Sequence, residues 1–270
     1  MRRSHAGALR RRAGLVLAAL ALAAAARADE PAAGEPEVTV PPSSREDPPL
    51  AQAADGATRR ATGLELSLRA QSYRPAIDRE FDGAAQPFGL AFGSGRRWGG
   101  RLELAKTLAT SLGTAGLGLG VGYFGASGHG LYQDTSTGAL LKSGDSTSLH
   151  VIPISLFATY RLDLLSERLH VPLAPYARVA VERYAWIATG TSHASKLGAT
   201  DGYSLTAGVA LYLDGVDPVL AQELRRESGI EHTALTFDVT RAIVDDFGSA
   251  RSWDLSTVGW ALAGGLLVTF

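Results

Sequence analysis

From Gly63 to Phe270 the chain alternates apolar residues with polar or small ones, segment after segment. A period of two marks a β-strand, because successive side chains leave opposite faces. In the first segment, near 63–73, Leu64, Leu66, Leu68 and Ala70 oppose Glu65, Ser67, Arg69 and Gln71. The second, near 97–108, sets Trp98, Leu102 and Leu104 against Arg101 and Glu103. The third, near 112–124, sets Leu117, Leu119, Val121 and Tyr123 against four glycines, Gly116 to Gly122. Four more follow near 149–161, 173–188, 202–213 and 232–243. The eighth ends the chain as GWALAGGLLVTF, with Trp260, Leu262, Leu266, Val268 and Phe270 on one face. Eight such segments predict an all-β, eight-stranded, up-and-down antiparallel barrel.

The connections alternate in character. Stretches 74–96, 125–148, 189–201 and 244–252 are polar and mostly long, as outward loops of a membrane barrel are. Between them lie three inward connections, at about 109–111, 162–172 and 214–230. The last carries a helix signal near 217–227: Asp217 as N-cap, Pro218 at the first helical position and Gly229 near the end. Its Val219, Leu220 and Leu224 suit either the inner headgroup surface or the barrel mouth.

Alternation alone does not say which face meets solvent. A soluble barrel needs a hydrated outer face, rich in charge. Here the non-apolar faces are glycine, alanine, serine and threonine with a nearly balanced set of charges: Glu65, Arg69, Arg101, Glu103, Arg161, Arg178, Glu182 and Asp238. Such residues suit a narrow lumen in which opposite charges pair. The apolar faces then point to lipid. Aromatics toward segment ends (Trp98, Tyr123, Tyr160, Tyr203, Trp253, Phe270) match interfacial girdles. Spanning strands must close on themselves, because unpaired backbone groups in hydrocarbon cost several kcal/mol each, roughly. The closing strand therefore ends at Phe270, and its pattern resembles the C-terminal signal read by barrel-assembly machinery. Arg183 and Arg241 share parity with the lipid face, which is tolerable at the outer rim among lipopolysaccharide phosphates or if a bulge turns them inward.

The N-terminus sets the compartment. A basic MRRSHAGALRRR, a short apolar AGLVLAALALAAA and the A-x-A site Ala26-Arg27-Ala28 before Asp29 read as a Sec-type signal peptide, 1–28. Its removal takes away six arginines and no acid, leaving 20 basic against 27 acidic side chains. That acidity argues against a nucleic-acid partner. Residues 29–62 hold half of the prolines and no aromatics, and read as a disordered periplasmic linker before the barrel at 63–270. The chain has no cysteine, which excludes disulfides and thiolate chemistry.

Candidate chemistry is sparse. Gly120-Val121-Gly122-Tyr123-Phe124-Gly125 matches G-x-G-x-x-G, but its glycines continue a strand and no helix follows. They more simply leave room for bulky neighbours such as Phe157 or Tyr176. His193-Ala194-Ser195 resembles the H-x-S pair of eight-stranded lipid A deacylases, yet falls in an outward loop with no carboxylate placed to orient the histidine. His129, His150, His170 and His232 are scattered, and Asp245-Asp246 reads as a solvated turn. No catalytic, cofactor-binding or metal-binding residue is assigned.

PLAPYARVAVERYAW, GIEHTALTFDV and VDDFGSARSWDLSTVGWALAGGLLVTF resemble a family of outer-membrane β-barrel proteins of myxobacteria and relatives. The resemblance spans roughly 63–270 and implies architecture and address, not activity. The expectation is a non-catalytic outer-membrane barrel with a side-chain-filled lumen, in contact with outer-membrane lipid and lipopolysaccharide. The alternatives are a small porin-like channel, a lipid-modifying barrel enzyme and a soluble secreted barrel.

Overall fold

The computed structural model describes residues 63–81, 86–164, 166, 171–191, 194–216, 218–249 and 252–270. The signal-peptide site at Ala26, Ala28 and Asp29, the linker, Asp217, His170 and His193 lie outside the described residues.

Eight antiparallel strands form one closed barrel in sequence order: β1 (Leu64–Tyr73), β2 (Arg97–Ala109), β3 (Thr114–Gln133), β4 (Leu140–Arg161), β5 (Leu173–Gly190), β6 (Lys196–Tyr212), β7 (His232–Ile243) and β8 (Ala261–Thr269). Each strand bonds to the next. The ring closes by β1 against β8, in register from Glu65 opposite Thr269 to Gln71 opposite Ala263. At the seam Phe270 N–H donates to the Leu64 carbonyl at 2.8 Å, and Leu64 N–H to that of Phe270 at 3.1 Å. Closure leaves no free sheet edge within the ring.

Parity sorts the side chains. Leu64, Leu66 and Leu68 face outward, and Glu65, Ser67, Arg69 and Gln71 are buried inside. The same holds around the barrel, with Leu104, Leu119, Leu156, Val181, Leu205, Phe237 and Leu262 all exposed outward. Leu119, on the cleanest alternating strand, is 64% exposed.

Small residues make room for large ones inside. A Cβ on Gly118 would lie 2.6 Å from the Phe157 ring, and one on Gly208 would lie 2.7 Å from that of Tyr176. The glycines that meet these rings are thus not those of the Gly120–Gly125 stretch: Gly118 of β3 serves Phe157 and Gly208 of β6 serves Tyr176, while Gly120 and Gly122 lie against Ser155 and Arg101.

Strand lengths differ from the sequence expectation on one side. Stretch 125–148 is mostly strand, so that β3 and β4 pair out to Gln133 opposite Leu140. The β2–β3 pairing ends at Gly100 opposite Tyr123, and the β6–β7 pairing at Tyr203 opposite Ile243. Beyond these points β3–β6 continue as a four-stranded wall. It stands at the end of the barrel opposite Leu64 and Phe270, termed the loop end here. The ladder between β3 and β4 skips Pro153, which has no N–H to donate, and slips at a bulge between His129 and Leu131.

Connection 74–96 is not simply loop. It holds a 3-10 turn, Ile77–Glu80, and helix α1 (Pro87–Phe92). The Asp78 carboxylate accepts from Phe88 N–H at 2.7 Å, satisfying a donor at the start of α1. Helix α2 (Pro218–Ser228) occupies the third connection, close to the expected 217–227, and ends at Gly229 with φ +68°. No α2 residue is buried, and Val219 and Leu220 are exposed, which separates them from the barrel mouth.

Candidate functional site

The barrel interior is the densest concentration of charge in the described protein. Glu65, Arg69, Arg101, Glu103, Arg161, Arg178, Glu182 and Asp238 are all buried there, Glu182 at 1% exposure. Asp163 joins them. It lies two residues past Arg161 on the same parity, just beyond the end of β4. Following the alternation past the strand boundary would have found it.

These groups form three tiers. Nearest Leu64 and Phe270, Arg161 bonds Glu65 at 2.7 Å and Asp163 at 3.3 Å. Asp163 also accepts from Thr114 at 2.6 Å and from the Tyr212 hydroxyl at 3.0 Å. In the middle tier Glu103 accepts from Arg69 at 3.1 Å, Arg178 at 2.6 Å and Ser67 at 2.9 Å. Arg69 reaches across to Asp238, which also accepts from the Tyr176 hydroxyl at 2.8 Å. The Arg178 guanidinium sits 4.4 Å from the centre of the Phe157 ring, a cation–π contact. In the third tier Glu182 accepts from Arg101 at 2.7 Å and from Ser204 at 2.8 Å. Tyr176, expected inside as a bulky neighbour, thus also supplies a hydroxyl to the network, and Tyr212 is a contributor that the apolar/polar count did not single out, because tyrosine counts as either.

Desolvating charges costs several kcal/mol per ion, roughly, unless partners restore the lost hydrogen bonds. Here every carboxylate in the set has at least one guanidinium within 3.3 Å or, for Asp238, a direct contact with Arg69. Two voids beside these charges are small. One beside Arg69, Arg161 and Arg178 measures about 10 Å³, and one beside Arg101, Pro153 and Tyr184 about 20 Å³. A buried water needs roughly 10–15 Å³ on this measure, so each void holds about one.

Above the charges the interior turns apolar. Tyr73, Phe124 and Tyr184 meet edge to face, with centroids 4.7 Å and 6.0 Å from the Tyr73 ring. Phe88 of α1, Leu149, Val151, Val244 and Leu255 complete this layer. The segment around Leu255 is tied in by the Tyr73 hydroxyl, which donates to the Leu255 carbonyl at 2.5 Å, and by Leu255 N–H to the Val244 carbonyl at 2.9 Å. The loop end of the lumen is thus closed by an aromatic and aliphatic plug.

Other singled-out residues stay apart. Trp260, Leu262, Leu266 and Phe270 are exposed along the outer face of β8, with Val268 half-buried between them. Arg183 remains outward at 63% side-chain exposure, paired to Asp201 at 2.9 Å, after five outward residues of β5 from Leu173 to Val181. Arg241 is also outward and donates to the Gly259 carbonyl at 3.0 Å, near the loop end of β8. No bulge turns either one inward. Ser195 is exposed just before β6. Asp246 and Phe247 take left-handed backbone in a turn that Ser249 closes by donating to the Asp246 carboxylate at 2.7 Å. Among the described residues no three His, Cys, Asp or Glu side chains converge in a metal-binding cluster.

No protein-family description and no curated protein matches the sequence. Solved structures similar to the chain include the N-terminal β-barrel domain of Pseudomonas aeruginosa OprF, at 13% identity over 76% of this chain and 97% of that one, with a TM-score of 0.39. Neisserial surface protein A is similar at 12% identity over 78% and 99%, TM-score 0.39. Outer membrane protein W of E. coli is similar at 15% identity over 78% and 100%, TM-score 0.35.

Proposed function

We propose that the chain is an integral outer-membrane barrel protein, non-catalytic, whose lumen is sealed by its own side chains. In this reading it works through the wall of β3–β6 and the connections at the loop end. One observation carries it: the exposed leucines, valines and aromatics lie on the outside of a closed barrel, and the paired charges lie inside. An apolar exterior of this kind is stable in acyl chains and unstable in water, where apolar area costs about 25 cal/mol per Å². The resemblance of 63–270 to the myxobacterial barrel family fits the same address.

The partners follow from this placement. Lipid tails contact the leucine face, and lipopolysaccharide phosphates lie within reach of Arg183 and Arg241 at the loop end. Barrel-assembly machinery reads Trp260 to Phe270 during insertion. The tiered ion pairs and the aromatic plug disfavour a channel.

Two measurements test the proposal. After export the protein is expected in the outer-membrane fraction, with migration on gels that changes on heating; recovery as a detergent-free soluble protein overturns the membrane reading. In planar bilayers the refolded protein is expected to give no stable conductance steps, and large steps overturn the sealed lumen.

A further inference from the structure

We infer that the loop end of the barrel carries a binding site for an uncharged, hydrocarbon-like group about the size of two fused aromatic rings. The site is an apolar pocket, open on one side, of about 230 Å³ beside the register slip between β3 and β4. Phe88 and Phe92 of α1, Leu131 at the bulge, Leu149 of β4 and Trp253 supply much of its wall. An aliphatic and aromatic cavity of about 150 Å³ stays dry and takes up benzene, so a larger one of similar lining suits a ligand of about ten carbon atoms.

The polar groups at the cavity set the ligand class. The Thr147 hydroxyl is committed to the Thr189 carbonyl at 2.9 Å. His129 is exposed, at the rim. A sugar, ion or peptide entering this space would lose hydration with little to replace it, whereas a hydrocarbon loses nothing.

The walls are also pre-formed. Tyr123, Ser127 and His129 lie on the outward parity of β3, and Leu131 follows on the same parity. At the register slip three residues of β4, Ser143 to Asp145, stand opposite Gly130 of β3, and Leu131 just past it lines the pocket. Helix α1 lies so close to β3 that a Cβ on Gly128 would collide with the Ala91 backbone. Trp253 is held by stacking on Trp186, with centroids 4.3 Å apart.

Two sources can supply such a group: a free small molecule, or the end of a lipid acyl chain. The test uses the refolded protein in phospholipid nanodiscs, with methyl-labelled isoleucine and leucine, and naphthalene as the probe. Saturable shifts at the Ile77 and Leu149 methyls, lost in Leu131→Trp, are expected for a free ligand. Overhauser contacts from those methyls to lipid chains without naphthalene identify an acyl tail as occupant. Ala188→Phe, on another wall, serves as the filling variant if Leu131→Trp does not refold, and the wild-type titration stands on its own if neither does. Shifts confined to outward methyls such as Leu119, growing linearly with naphthalene, with no lipid contacts at Ile77 or Leu149, overturn the site.

Discussion

Leu64 and Phe270 exchange a reciprocal pair of backbone hydrogen bonds, and through them the last residue of the chain is bonded to the first strand. Removing Phe270 deletes both bonds and one outward ring at the seam. The net loss is about 2 kcal/mol in water, and larger where lipid replaces water as the alternative partner. Deletion is expected to lower refolding yield and abolish heat-modifiable migration in part of the population, while Phe270→Trp keeps both near wild type.

Glu103 pairs with two guanidinium groups, so its removal leaves Arg178 without its carboxylate partner and Arg69 with Asp238 alone. Glu103→Ala is expected to destabilise the barrel by about 3–5 kcal/mol. Arg183→Ala, which breaks an exposed pair, is expected to cost about 0–1 kcal/mol. Reversible urea unfolding in lipid vesicles separates the two; equal effects would contradict the buried network.

Gly118 lies against the Phe157 ring. Gly118→Val overfills that contact and is expected to cost about 1–3 kcal/mol. In a Phe157→Ala background the same substitution should cost less, since the ring it meets is gone. A double-mutant cycle reads the coupling directly.

Leu119 tests what the exterior touches. In acyl chains, Leu119→Arg near the midplane is expected to cost about 2–4 kcal/mol. An exposed surface position in water would tolerate it within about 0.5 kcal/mol. Stability in vesicles of the two proteins distinguishes these outcomes.

Asp134, in the turn joining β3 to β4, accepts from the backbone N–H of Ser136 at 2.9 Å and from the hydroxyls of Ser136 at 2.7 Å and Thr137 at 3.0 Å. The Ser136 backbone bond foremost, then the hydroxyls, hold its carboxyl below the ordinary carboxylate range. The folded value lies below the unfolded one, so this turn's order is present above the unfolded value and fades as pH falls through the folded one. Carboxyl carbon chemical shifts against pH are expected to place Asp134 below a free aspartate, and Asp134→Ala to broaden the amide signals of Ser136 and Thr137 at neutral pH.

The strands that form the barrel were legible because each has one apolar outward face and one face in a crowded lumen. That contrast writes a period of two into Leu64–Gln71 and Leu117–Tyr123. It also sorts eight of the nine charges described in the interior, missing only Asp163 beyond the end of β4. The wall beyond Tyr123 was not legible. Its Ser127, His129, Ser146 and Gly144 are exposed, so little in that stretch contrasts one face with the other, and strand and loop look alike. The cavity was hidden for a different reason. It is assembled from α1, the slip between β3 and β4 and the segment around Trp253, which lie far apart in sequence, and a two-residue surplus in β4 opposite Gly130 leaves no mark in composition.

The unequal strand lengths give the molecule a front and a back. β3 continues ten residues past Tyr123, its last partner on β2, which is roughly 30 Å of extended chain. β1, β2, β7 and β8 stop far sooner. Anything descending onto the barrel from the loop side therefore meets a tall screen over half the circumference and a low sill over the other half. Approach is one-sided, and turning the protein about its axis changes which neighbour in the same layer it can greet.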